Sequence, residues 1–248
     1  MIQRMVASAV FAGFAAGLIA AALQFVFVEP LLLRAELYET GRLVHVSGAP
    51  ELHGPRANEA TETGVVGPAT GAAAGQDQDV AEPFDAKRTA LTVLFMALTY
   101  VGYALLLVAF YGFAESRGAR ITPRAGLLWG LAGFVALMLA PAAGLAPELP
   151  GMTAADLAPR QIWWVATAIA TAAGLWLIAF GKTPVVWAAA AALILAPHLI
   201  GAPHPAQVFG AVPPELAAAF VGRTLAVGMA GWVLLGLLLA RFRQGAHD

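Results

Sequence analysis

The chain has 248 residues, of which 60% are hydrophobic and only 12% charged, about half the roughly 25% charged content of an average soluble domain. That composition excludes a soluble globular fold and predicts an all-α integral membrane protein. The net charge of −1 conceals a segregation of sign along the chain, no basic cluster points to nucleic acid, and the lack of cysteine excludes disulfides and thiolate metal sites. His, Asp, Glu and Met remain as possible metal ligands.

Taken in order, residues 1–28 form the first predicted span. Arg4 precedes an apolar run over 5–28 whose only polar residue after Ser8 is Gln24. The run is longer than the roughly 7–15 residues of a cleavable signal core, so it reads as an uncleaved helix. At 1.5 Å per residue it reaches about 36 Å, enough to cross a ~30 Å hydrocarbon core with tilt. Ala9, Gly13, Gly17 and Ala21 recur every four residues, and such a smooth strip predicts a seam against another helix or a partner subunit. The competing reading is that Ala and Gly are simply abundant.

Residues 29–89 read as an extracytoplasmic acidic loop. Glu29-Pro30 opens a short amphipathic helix over 31–39, with apolar 31, 32, 33 and 37 beside Arg34 and Glu36, and proline fits its first turn. Glu29, at the membrane boundary, is a candidate ligand or proton site, or a carboxylate that reaches water or pairs with Arg34. Over 54–81 the sequence becomes a Gly/Ala-rich polar insert with too little apolar surface to fold alone. His45 and His53 flank it among ten acids between Glu29 and Asp85, a composition suited to loop capture of cations or to plain solvation.

Residues 90–248 hold five further predicted segments: 90–114, 125–146, 162–180, a short fifth at 185–196, and a sixth from about 215 to 240. The fifth is the outlier, because 12 residues span only about 18 Å as a helix. It runs into Pro197-His198-Leu199-Ile200-Gly201-Ala202-Pro203-His204-Pro205. Three prolines there predict that the backbone leaves helical geometry from Pro197 onward, forming a His/Pro loop over 197–205. In a membrane such a backbone is tolerated only where protein buries it or where it lines water.

Charge sets the orientation. With six segments and a cytoplasmic N-terminus, the inner parts carry Arg4, Arg117, Arg120, Arg124, Lys182, Arg241 and Arg243 against only Glu115 and Asp248, which satisfies the positive-inside rule with both termini cytoplasmic. The His/Pro loop and the acidic loop then share the outer side. Within the sixth span Arg223 is the one clear base, expected to pair with Glu29 or Glu215 or to line a substrate path.

Two imidazoles with nearby carboxylates suit a borderline divalent ion. A six-residue separation across prolines is equally compatible with histidines that cap and hydrogen-bond a buried loop. Hydrolytic chemistry has little support, since serine occurs only at 8, 47 and 116 and no nucleophile elbow or P-loop is present. The expectation is therefore a protein that is not an enzyme and has no tightly bound cofactor.

Three features together resemble the CbtA family of proposed cobalt transporter subunits. They are the first span ending Phe27-Val28-Glu29-Pro30, the run Arg34-Ala35-Glu36-Leu37-Tyr38-Glu39, and the proline-histidine stretch followed by Pro214-Glu215-Leu216. The resemblance covers nearly the whole chain except the low-complexity insert. It implies cobalt uptake across a bacterial inner membrane, linked to cobalamin biosynthesis, with Co2+ as the transported ligand. It also implies a small single-span, histidine-rich partner, CbtB. The family is usually described with five spans, where the residues here predict six. Metal handling then falls to His198 and His204, helped by Glu29 and Glu36. A non-transporting accessory or assembly subunit of a larger membrane complex is the alternative.

Overall fold

The computed structural model describes residues 2–43, 86–207 and 210–244, and every regular element among them is helical. The elements are α1 (Ile2–Phe27), α2 (Glu29–Glu39), α3 (Ala86–Ser116), α4 (Pro123–Phe134), a π-helical turn (Val135–Leu139), α5 (Ala140–Ala142), α6 (Leu157–Phe180), α7 (Pro184–Ile200) and α8 (Pro214–Gln244). Five stretches are long and apolar enough to cross a membrane: Gln3–Phe27, Ala86–Ser116, Pro123–Ala142, Leu157–Phe180 and Pro214–Gln244. The sixth segment, α7, has 17 residues, so it reaches about 26 Å, at the short limit for a crossing helix.

Local chemistry explains the helix boundaries. Thr122 and Thr183 each precede a proline, and each hydroxyl accepts from the backbone N–H three residues on, Ala125 at 3.2 Å and Val186 at 3.4 Å. A threonine cap followed by proline at the first helical position satisfies one orphan donor and removes another. The short helix after the first span is α2, which begins at Glu29 and buries Leu31 and Ala35.

The first span is the centre of the packing, since α1 lies against both α3 and α8. Its small-residue strip faces α3: a Cβ on Gly13 would come within 2.6 Å of the Val101 Cα, and one on Gly17 within 2.7 Å of the Ala97 Cα. The seam expected from the spacing thus closes within this chain. A second close approach joins α4 to α8, where a Cβ on Gly126 would strike the Gly236 carbonyl and one on Gly130 the Trp232 carbonyl. Small residues allow such contact between backbones, and dispersion over the matched surfaces holds helices together where lipid removes the hydrophobic driving force. Trp232, 1% exposed, stacks on Tyr103 at 4.5 Å beside this seam.

Beside this bundle of α1, α3, α4 and α8, helices α6 and α7 form an antiparallel hairpin. Among the described elements helix α7 packs on α6 alone, with Gly174 of α6 received by Ala190 and Ile194. Helix α6 in turn leans on the bundle mainly through the π turn and α5.

Pairings at the two ends establish which termini lie together. At one end Arg243 meets Glu115 at 2.7 Å, and Gln244 donates to the Ile121 carbonyl at 3.4 Å. At the other, Arg88 of α3 meets Glu36 of α2 at 2.8 Å, and Arg223 of α8 donates to the Phe27 carbonyl at 3.2 Å. The hairpin runs between the same two ends: α6 ends near the α3–α4 loop, where Phe180 and Arg120 line one cleft, and α7 ends toward the second set, where Gly144 abuts both Trp163 and Ala202.

One expectation from the prolines requires correction. The backbone does not leave helical geometry at Pro197, because α7 continues through it to Ile200. Pro197 lies in the last turn, so its missing N–H costs one helical bond near an end already short of partners. Its carbonyl is held twice, by the Trp163 indole N–H at 3.1 Å and by Gly201 N–H at 3.1 Å. The helix stops at Gly201 instead, where φ is 90° and ψ 148°, a conformation essentially reserved for glycine.

Candidate metal site

The end of the molecule that carries α2 also carries the candidate ligands among the described residues. His198 occupies the last turn of α7, half-buried. Its ring stands edge-on to Trp163, with centroids 5.7 Å apart and planes at 73°. Trp163 therefore does two things at once: its N–H fixes the Pro197 carbonyl, and its ring walls one side of the imidazole. Gly201 then turns the chain, and His204 lies exposed in the following loop.

The carboxylates are dispersed around this end. Glu29 is half-buried at the start of α2. Glu36 is ion-paired to Arg88 at 2.8 Å, so any metal would compete with a guanidinium for its oxygens. Glu215 is exposed in the first turn of α8. Arg223 forms no ion pair with Glu29 or Glu215; its Nη1 donates to the Phe27 carbonyl, one of the orphan acceptors at the negative end of α1. His45 and His53 lie outside the described residues. Among the described residues no group of three or more His, Asp or Glu is assembled to hold a metal ion.

Two features of this end had no local signal in the sequence. Trp163-Trp164 suggests an interfacial aromatic pair, yet Trp163 is 8% exposed and bonds across to α7, an association set by the hairpin and invisible in a helical pattern. The loop after α5 also contributes: Glu148 pairs with Arg160 at 2.8 Å, lining a cleft of about 700 Å3 between the π turn, α5 and α6. The two ends of that ion pair are 12 positions apart in the chain, and only the turn between them brings the charges together.

Chemically, His198 and His204 offer two imidazoles on either side of the turn at Gly201. Divalent ions of the cobalt-to-zinc series take four to six ligands, with imidazole among the preferred ones. Two protein donors leave most of the coordination shell to water or to another molecule, which suits capture and release better than permanent binding.

Comparison with known proteins points the same way. A family model described as probable cobalt transporter subunit (CbtA) matches residues 2–244. No curated protein matches the chain, and no solved structure does.

Proposed function

Since the chain belongs to the CbtA family of probable cobalt transporter subunits and carries five helices able to cross a membrane, we propose that this multi-pass membrane subunit takes up Co2+ across a bacterial inner membrane to supply cobalamin biosynthesis. The match over 2–244 is the observation that carries this reading.

In this proposal α7 is a sixth crossing and both termini are cytoplasmic. The basic end with Arg117, Arg120, Arg124 and Lys182 faces the cytoplasm, as the positive-inside rule requires, and the end bearing α2, His198 and His204 faces outward. Two features support counting α7: it runs antiparallel to the longer α6, and its last turn meets Trp163 near the far end. His198 and His204 accept the ion, with Glu29 at the same end of the molecule and Glu36 available on exchange with Arg88. A small single-span, histidine-rich partner of the CbtB kind supplies further ligands. The protein acts as a carrier subunit without enzymatic activity, and Co2+ is its cargo and not a resident cofactor.

The test is radioactive cobalt accumulation in cells deprived of other cobalt importers, expressing the chain alone, with its partner, and as His198→Ala/His204→Ala at matched membrane levels. Uptake that needs the chain and falls at least about tenfold in the double variant, as loss of metal ligation typically does, supports the reading. Unchanged uptake in the double variant removes the histidines from the path. If the chain never alters uptake, the accessory-subunit alternative takes its place.

A further inference from the structure

The strongest feature that metal transport does not use lies at the opposite end. Helix α4 is pressed onto α8 by its glycines, while α6 leans on the π turn and α5. The two helices therefore diverge toward the α3–α4 loop, and a cleft of about 540 Å3 opens between α3, α4 and α6. Its walls are apolar and aromatic, including Leu106 and Phe110 of α3, Leu128 and Trp129 of α4, and Ala172 and Trp176 of α6. The size is that of a small-molecule site.

Toward the loop the lining changes character. Trp176 stacks with Phe113 at 4.8 Å and approaches Phe180 at 4.4 Å, and beyond these rings stands Arg120, the single charged residue of the cleft. The α3–α4 loop adds Arg117, the first turn of α4 adds Arg124, and the α6–α7 turn adds Lys182. At this end Glu115 is already engaged by Arg243. Arg117, Arg120, Arg124 and Lys182 have no carboxylate partner among the described residues. Arg117 lies over the Phe113 ring at 5.0 Å, which leaves its outer N–H groups free to meet an anion.

We propose that this cleft binds one anionic phospholipid, with an acyl chain between α3, α4 and α6 and its phosphate held by Arg120 and Arg124. The complementarity is of two kinds. Walls of aliphatic and aromatic side chains, whose only polar side-chain groups besides Arg120 are the Tyr103 hydroxyl and the indole N–H groups of Trp129, Trp176 and Trp232, accept hydrocarbon and would leave most backbone groups of a peptide unsatisfied. Guanidinium groups at the mouth favour phosphate, as basic pockets between membrane helices do. A zwitterionic headgroup would bring its amine against the same arginines. A free anion would gain nothing from the cleft.

The experiment uses the full chain purified in mild detergent, with lipid retention read by native mass spectrometry and stability by thermal melting. The probes are phosphatidylglycerol, phosphatidylcholine of the same chains, and glycerol phosphate. Expected are retention of one phosphatidylglycerol with a raised Tm, weaker retention of phosphatidylcholine, and no shift with glycerol phosphate. Arg120→Ala and Arg124→Ala each lower the preference for phosphatidylglycerol about fivefold. Ala172→Trp, or the milder Ala132→Leu if that variant does not fold, fills the cleft and abolishes retention while the arginines remain. Equal retention of both lipids, an equal Tm shift with glycerol phosphate, or wild-type retention in the filled variants overturns the proposal. None of these outcomes bears on cobalt uptake, so the two readings fail independently.

Discussion

Trp163 shows how much one residue decides at the candidate site. A proline in the last turn of a helix and a histidine beside it would ordinarily leave a loosely held terminus. Here a buried indole donates to the Pro197 carbonyl and walls the His198 ring, which sets the direction of the imidazole without touching a metal. Trp163→Phe keeps an aromatic wall but removes the hydrogen bond and the ring atoms packed beside Gly144, so it is expected to lower stability by about 1–3 kcal/mol, seen as a lower Tm in detergent. It is also expected to reduce cobalt uptake more than that stability loss explains. Histidine 204 offers a contrast, being exposed with no such support. Its replacement alone should leave Tm unchanged.

At the scale of elements the molecule depends on where glycine lies. Gly13 and Gly17 let α1 meet α3, and Gly126 and Gly130 let α4 meet α8, whereas a Cβ on Gly102 or Gly222 would meet nothing within 4 Å. Gly130→Ala drives a methyl group toward the Trp232 carbonyl and must separate two helices, at a cost of about 1–3 kcal/mol. Gly102→Ala enters open space inside a helix and is expected to be neutral or to stabilise by roughly 0.5–1 kcal/mol. Thermal melting of the two purified variants checks this. A comparable loss for both would mean that the α4–α8 contact does not hold the bundle. The same seam sets the angle at which α4 leaves α6, and thereby the cleft that faces the basic loop.

For the whole molecule, topology turns on α7. A crossing helix places the α6–α7 turn and the loop after Gly201 on opposite sides of the membrane, and a re-entrant one places them together. The chain contains no cysteine, so single substitutions report cleanly. Ala206→Cys is expected to react with a membrane-impermeant thiol reagent applied to intact cells, while Lys182→Cys and Gly118→Cys react only after the membrane is opened. Equal reactivity of 182 and 206 from one side would make α7 re-entrant and return the count to five spans. In the proposed orientation the end rich in Arg and Lys faces the cytoplasm.

By itself the sequence determined that the chain is helical and membrane-embedded, where the apolar helices run to within a few residues, that a short helix opens around Glu29-Pro30, and that α1 carries a packing seam. These were legible because lipid forces backbone hydrogen bonds to close locally, so composition and length along the chain carry the signal. The family was legible too, through the stretches around Glu29 and His198. Only the tertiary structure decided that the seam of α1 meets α3, that α7 ends at Gly201 and not at Pro197, that Glu36 is held by Arg88, and that Arg223 bonds a backbone carbonyl. The reason is that a chain rich in alanine and glycine offers many nearly equivalent helix surfaces. Which of them meet is settled by the fit of backbones and by single long-range bonds such as that from Trp163 to Pro197, and neither leaves a period in the sequence.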